Sequence, residues 1–204
     1  MKNSFKILLV ALAFLSLSFV KFEKKEINVV IDAGHGGADF GVQIDDITEK
    51  ALVESITNKI QELNKDADVK IHLTRADDSF VDLTKRADFI NQIKPDLAIS
   101  LHVNQNKNTD ANGYEVYFSD QSVTSEKSKE LAQKLAAKFS MNSPLNNRGV
   151  KTAPFMVLKK SECPTMLIEL GFLSNEKDRN YLTSENGQTE IAKTILDFTS
   201  DLKQ

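Results

Sequence analysis

Four side chains with acid–base or metal-binding chemistry stand out, three of them at the ends of apolar runs and one at the start of an amphipathic segment. His35 lies in Asp32-Ala33-Gly34-His35-Gly36-Gly37, directly after the run Ile27 to Ile31. Glu49 opens an amphipathic segment, His102 closes a second apolar run, Leu97 to Leu101, and Glu169 closes a third, Met166 to Ile168. The chain has only three histidines, and two of them end a strand-like run. Zn²⁺ takes imidazole and carboxylate ligands, and a catalytic site keeps one coordination position open. His35, Glu49 and His102 can supply three ligands, which leaves Glu169 as a base.

Each residue also has a plainer reading. The glycines around His35 suit a tight strand-to-helix turn; a phosphate loop is disfavoured, because Asp32 and His35 replace the expected Lys and Ser/Thr. An acidic residue at the start of a helix, such as Glu49, complements the helix dipole. His102 could be a hydrogen-bonded core histidine. Glu169 is the sharpest of the four: a carboxylate in Met166-Leu167-Ile168-Glu169-Leu170 must be paired, protonated or functional, since burying it alone is costly. His72 falls on the polar side of an alternating strand beside Lys70 and Thr74 and reads as a half-exposed histidine. Cys163 has no partner and no basic cluster nearby, so it reads as an inert thiol.

The elements that must position these groups follow from periodicity. Strands are expected at Ile27 to Asp32, Val69 to Thr74, Leu97 to Val103, Tyr114 to Phe118, Pro154 to Leu158 and Thr165 to Leu170. Helices are expected from Glu49, capped by Thr48, along Leu52, Ile56, Ile60 and Leu63; along Leu83, Ala87, Ile90 and Ile93, ended by Pro95; between about Ser125 and Ser140; and through Ile191, Ile195 and Leu202. Met141 to Thr152, with Pro144, Asn146, Asn147 and Gly149, reads as a loop. The alternation predicts a single α/β domain over 27–204, a mostly parallel twisted sheet of about six strands flanked by helices. Ligands of such sheets bind beyond the carboxyl ends of the strands, where His35, His102 and Glu169 fall.

Lys2 and Lys6 followed by the apolar stretch Ile7 to Val20 read as a secretory signal over residues 1–20. Phe19 and Val20 interrupt the small residues that cleavage prefers, so an uncleaved anchor is an alternative, followed by a short linker over 21–26. Export places the protein in the periplasm or cell-wall space. Without the signal the formal charge of −3 becomes −5. With a pI near 5.7, this argues against nucleic acid as a partner, because phosphate binding needs a basic face. One cysteine allows no intramolecular disulfide, so the core must hold the domain alone.

Together these segments resemble the zinc-dependent N-acetylmuramoyl-L-alanine amidases of the Amidase_3 type, over about Ile27 to Ile195. Val30-Ile31-Asp32-Ala33-Gly34-His35-Gly36-Gly37 looks like the opening zinc motif, and Thr48-Glu49-Lys50 like the glutamate ligand. Leu73-Thr74-Arg75 and Leu83-Thr84-Lys85-Arg86-Ala87 resemble the second strand and helix. Ser100-Leu101-His102-Val103-Asn104 is similar to the segment of the second histidine. Arg148-Gly149-Val150-Lys151 resembles the loop before the penultimate strand, and Ile168-Glu169-Leu170-Gly171-Phe172-Leu173-Ser174-Asn175 the segment of the catalytic glutamate. Phe40 and Gln105 depart from the pattern, at positions expected to shape loops rather than to hold metal.

The resemblance implies one zinc ion on His35, Glu49 and His102, with Glu169 catalytic. It implies hydrolysis of the amide between N-acetylmuramic acid and L-alanine of the stem peptide, with peptidoglycan as partner. Asn104 and Arg75 are expected to support the ligands or to contact substrate. The other readings are a zinc peptidase cutting within the stem peptide and a non-catalytic peptidoglycan-binding module; the latter is disfavoured because all four key residues are present. Some family members carry a helix that blocks the zinc, and Ser119 to Thr124 is too short to hold one. An acidic domain gains no general attraction to an anionic wall, which makes a septal recruiter protein a natural partner. Oligomeric state is not legible in the pattern.

Overall fold

The computed structural model describes residues 26–203. The signal and most of the linker therefore lie outside the described residues. Strand β1 (Ile27–Ala33) leads to a small hairpin, β2 (Gln43–Ile44) and β3 (Ile47–Thr48), then to helix α1 (Glu49–Leu63) and β4 (Val69–Leu73). Helix α2 (Leu83–Ile93), β5 (Leu97–Asn104), β6 (Tyr114–Phe118), α3 (Ser125–Asn142) and β7 (Asn147–Thr152) follow. The chain ends with α4 (Met156–Lys160), β8 (Thr165–Phe172), α5 (Glu176–Thr183) and α6 (Glu185–Asp201).

The main sheet has six strands in the order β4-β1-β5-β8-β6-β7. Only the β6–β8 pair is antiparallel. The expected architecture holds, because apolar runs such as Leu97–Leu101 are covered on both faces, as strands of parallel sheets must be. On one face Ile31, Ile99, Leu101, Val116 and Ile168 pack under α1, α3 and α6 in the larger core. On the other face Val30, Ala98 and Leu167 pack with Ile90 of α2 and with Val157 and Leu158 of α4.

This second cover is small, and it stops short of the carboxyl ends of β1, β5 and β8. There the register stacks two rows across the sheet that are polar except at Leu167. Asp32, Ser100, Leu167 and Tyr117 form one; His102, Glu169 and Glu115 form the next. Register partners project to one side of a sheet, so these rows share the open face.

Four local expectations are corrected. The segment from Met141 to Thr152 is not all loop: it contains the end of α3 and edge strand β7, whose Asn and Gly content masks a strand interrupted by a bulge. Arg148-Gly149-Val150-Lys151 is accordingly part of a strand rather than the loop before one. Pro154 to Leu158 is not a strand. Met156–Lys160 is a short helix that turns Val157 and Leu158 into the core, and a brief apolar run cannot distinguish the two by periodicity. Thr48 occupies the N-cap of α1 without a capping side-chain bond. Helix α5 was not expected from the pattern; Asn175 caps it by accepting from the N–H groups of Lys177 and Asp178.

Candidate metal and catalytic site

His35 follows the end of β1 with φ +59°, an uncommon left-handed conformation for a residue with a side chain. The turn is held from beneath. Arg75 donates to the carbonyls of Ala33 and Gly34 (both 3.1 Å) and to that of Lys50, and pairs with Glu54 at 2.6 Å. Arg86 donates to the carbonyls of Ala33 and His35 and to Asp32 Oδ1 at 2.7 Å. Asp32 also accepts from Thr74 and Ser100, both at 2.6 Å. Burial alone would raise the Asp32 pKa. The Arg86 charge and these hydrogen bonds outweigh it and hold the carboxyl below its ordinary value. Gly34 is required by a close approach: a Cβ there would stand 2.4 Å from the His102 ring.

Glu49 is the hub. Its Oε1 lies 3.0 Å from His35 Nε2 and 2.9 Å from His102 Nδ1, and accepts from the Val103 N–H at 2.9 Å. Its Oε2 accepts from the Val42 N–H. Hairpin β2–β3 brings Val42 back over the first turn of α1, so the carboxylate is fixed by two backbone donors from different segments. Burial would raise its pKa, but hydrogen bonds and charge from the two histidines lower it strongly. His35 shows the reciprocal effect. Burial would lower its pKa, yet Glu49 and Asp39 carry it up to about 9.

The ligand-capable atoms of His35, Glu49 and His102 all lie within 4.8 Å of one another. Ligands of a tetrahedral zinc at ordinary bond lengths stand ~3.4 Å apart. The two imidazole–carboxylate separations of about 3 Å would open by only a few tenths of an ångström to admit one. Two imidazoles and a carboxylate are a donor set that zinc accepts, so the residues fit a metal ion. Asp39, four residues after His35, holds the other ring nitrogen at 2.9 Å. A carboxylate on the far nitrogen fixes the orientation and basicity of a metal-binding imidazole. The sequence reading passed over Asp39; its i+4 spacing from His35 within a glycine-rich turn was the available signal.

Glu169 is the neighbour of His102 across the β5–β8 pair. Its Oε2 is buried and has no hydrogen-bond partner among the described residues. Burial pushes its pKa up to about 7; Glu49 and Glu115 add to the rise, and the His102 and His35 charges oppose it. A carboxyl poised near neutrality beside two imidazoles suits proton transfer. All four groups therefore converge. A cavity of about 450 Å³ opens over them, lined by Asp32, His35, His102, Glu169, Phe80 and Phe155 among others.

The remaining sequence candidates have other partners. The Arg75 side chain is fully buried, so it supports the His35 turn and the start of α1 from behind. The carbonyl of Asn104 accepts from the Leu173 N–H, and its side chain accepts from the Gln105 N–H. His72 bonds Asn28 on the β4–β1 side of the sheet. Cys163 is buried, with its pKa raised by burial.

The family model of the N-acetylmuramoyl-L-alanine amidases matches residues 29–200. The chain is 33% identical over 172 residues to the amidase LytC of Bacillus subtilis strain 168, covering 84% of this chain but only 34% of that protein. An N-acetylmuramoyl-L-alanine amidase from Clostridium difficile 630 superposes with a TM-score of 0.81 at 31% identity, over 87% of this chain and 96% of that one. The CwlD amidase from Clostridioides difficile, solved in complex with the GerS lipoprotein, gives 0.78 at 29% identity, over 86% and 97%.

Proposed function

The chain belongs to the Amidase_3 family of N-acetylmuramoyl-L-alanine amidases, and from that premise we propose that it hydrolyses the amide between the lactyl group of N-acetylmuramic acid and L-alanine of the peptidoglycan stem peptide. The observation that carries this reading is the orphaned, buried carboxylate of Glu169 beside the His35–Glu49–His102 cluster. We assign those three residues as ligands of one zinc ion. When bound there, zinc would act as a Lewis acid that polarises a carbonyl and lowers the pKa of a bound water toward about 7.

The protein's own groups do the rest. Glu169 takes the proton of the attacking water and delivers it to the departing alanine nitrogen. Burial favours its protonated form, so the same carboxyl can take the proton from water and then give it to the departing nitrogen. Asp39 and the two backbone donors to Glu49 keep the ligands from rearranging. Arg75 and Arg86 hold the turn that carries His35. The products are an intact glycan strand and a free peptide.

We place the reaction outside the membrane, in the periplasm or cell-wall space, through the signal at residues 1–20. No helix among the described residues is long and apolar enough to cross a membrane. A septal recruiter is the partner class we favour, since a mildly acidic chain gains nothing from the wall's own charge and CwlD is seen with a lipoprotein partner. The deciding experiment is digestion of purified sacculi followed by mass spectrometry of the products. A new amine on L-alanine with a new lactyl carboxylate is expected; a new amine on any other stem residue would establish a peptidase instead.

A further inference from the structure

Beside Glu169, on the side away from the cavity, lies a cluster that the reaction does not use. Glu115 is the register partner of Glu169 across the antiparallel β6–β8 pair, so both carboxylates project to the same face. The Glu115 side chain is only 4% exposed. Its Oε1 accepts from Arg148 Nε at 2.7 Å and from Lys151 Nζ at 2.6 Å, and its Oε2 from the Tyr117 hydroxyl at 2.6 Å. Burial would raise its pKa, but these donors keep it low, so Glu115 stays an anion.

Two cations on one carboxylate leave a positive charge over. Arg148 and Lys151 remain 35% and 42% exposed while their charged ends converge on a buried anchor. Arg148 is further fixed, with its guanidinium 4.9 Å from the centre of the Phe172 ring and Nη1 on the Asn112 carbonyl. Neither Arg148 Nη2 nor the remaining N–H groups of Lys151 have a partner among the described residues.

The backbone is built to bring these two together. Residues three apart on a regular strand face opposite ways. Here Tyr114 pairs with Asn147 and Val116 with Val150, so two steps of β6 span three of β7. The extra residue is a bulge at Arg148–Gly149, with Gly149 at φ +91°. It turns Arg148 and Lys151 to the same face, opposite Glu115. The far side of Glu169 differs: the cavity there carries Asp32, Asp39 and Asp82 among apolar groups, and its arginine, Arg86, is already bound to Asp32.

We propose that Arg148 and Lys151, anchored by Glu115, form a subsite that engages a carboxylate on the second residue of the stem peptide and so sets the direction in which substrate lies across Glu169. This rests on the amidase reading. Neighbouring strands are ~4.8 Å apart, which puts the cationic tips roughly 5–8 Å from Glu169. An extended peptide advances ~3.5 Å per residue, so a carboxylate two residues beyond the scissile amide falls within that reach. An acid at that position would share the two cations with Glu115, in charge-assisted hydrogen bonds.

The probes are two synthetic N-acetylmuramoyl tripeptides that differ only in a free α-carboxylate or a carboxamide on the second residue. Wild-type zinc-loaded protein should show a kcat/KM roughly tenfold higher on the acid, the size expected of a charge-assisted contact. In R148Q/K151Q the ratio should fall toward one. In Glu115→Gln, which removes the anchor's charge and keeps both cations, the preference for the acid should persist. A purely structural role for the cluster would lower both rates together in all these variants and leave the ratio unmoved. The Kd of each free tripeptide, measured alongside, gives the same ratio without turnover. Equal values for acid and amide in the wild type, by kcat/KM and by Kd, would overturn the subsite. Failure to release alanine amine from either probe would instead overturn the amidase reading, and the Kd ratio would still decide the subsite.

Discussion

Glu169→Gln changes one atom type at the centre of the site, and the structure sets two separate magnitudes for it. Gln keeps the shape but cannot accept the proton from water, so turnover should fall about 10²–10⁴-fold. That corresponds to about 2.7–5.4 kcal/mol of transition-state stabilisation. The second magnitude concerns folding. Glu169 has its pKa raised from 4.5 to about 7, first by burial and then by the Glu49 and Glu115 charges. An acid raised in the folded state binds its proton more tightly there than in the unfolded chain. It carries no penalty below pH 4.5, a growing one as pH rises to 7, and the full one above. The difference is on the order of 3 kcal/mol by linkage. The metal-free Gln variant should therefore unfold at higher denaturant concentration than the metal-free wild type at pH 8, and at about the same concentration at pH 4. Paired assays of sacculus solubilisation and urea unfolding read both effects. Zinc content should stay near one per chain, because Glu169 lies outside the ligand set. Wild-type turnover would remove Glu169 from the mechanism, and lost zinc would make it a fourth ligand. A variant less stable than the wild type at pH 8 would show that the carboxylate is not the strained group the buried, unpartnered Oε2 indicates.

The remaining expectations test the frame around it. His35→Ala and His102→Ala should lose zinc at modest chelator concentration, since each leaves two protein ligands, whereas His72→Ala should keep full metal content by elemental analysis, its ring being engaged with Asn28. Asp32→Asn should destabilise by about 3–5 kcal/mol in chemical denaturation, because it leaves the Arg86 guanidinium buried against a neutral partner. The lowered pKa of Asp32 adds a sign: its contribution is present above its ordinary carboxylate range and fades as pH falls through the folded value, so wild type and variant should converge in acid. The connection from Ser119 to Thr124 holds no blocking helix, so purified zinc-loaded protein should digest sacculi unaided; activity that appears only on adding a second protein would refute this.

The sequence by itself determined the layered α/β architecture and the three sheet positions that carry His35, His102 and Glu169. Both are written in local order: an apolar run long enough to be a covered strand, then a polar group where the run stops. The motifs shared with the amidase family added Glu49, whose place at a helix start is uninformative alone. What the sequence could not show is the set of long-range contacts. Nothing near Glu49 announces that the Val42 and Val103 N–H groups will pin its two oxygens. Likewise, nothing around Arg75 and Arg86 shows that both will serve buried backbone carbonyls instead of substrate. Strand β7 and helix α4 were misread because a bulged edge strand rich in Asn and Gly looks like a loop, and a single apolar turn of helix looks like a strand. Only the sheet order, which inserts β8 between β5 and β6, decided that Glu169 would have His102 on one side and the Glu115 cluster on the other. Strand neighbours are chosen by packing and chain crossover, and that choice is not encoded in any one strand's own residues.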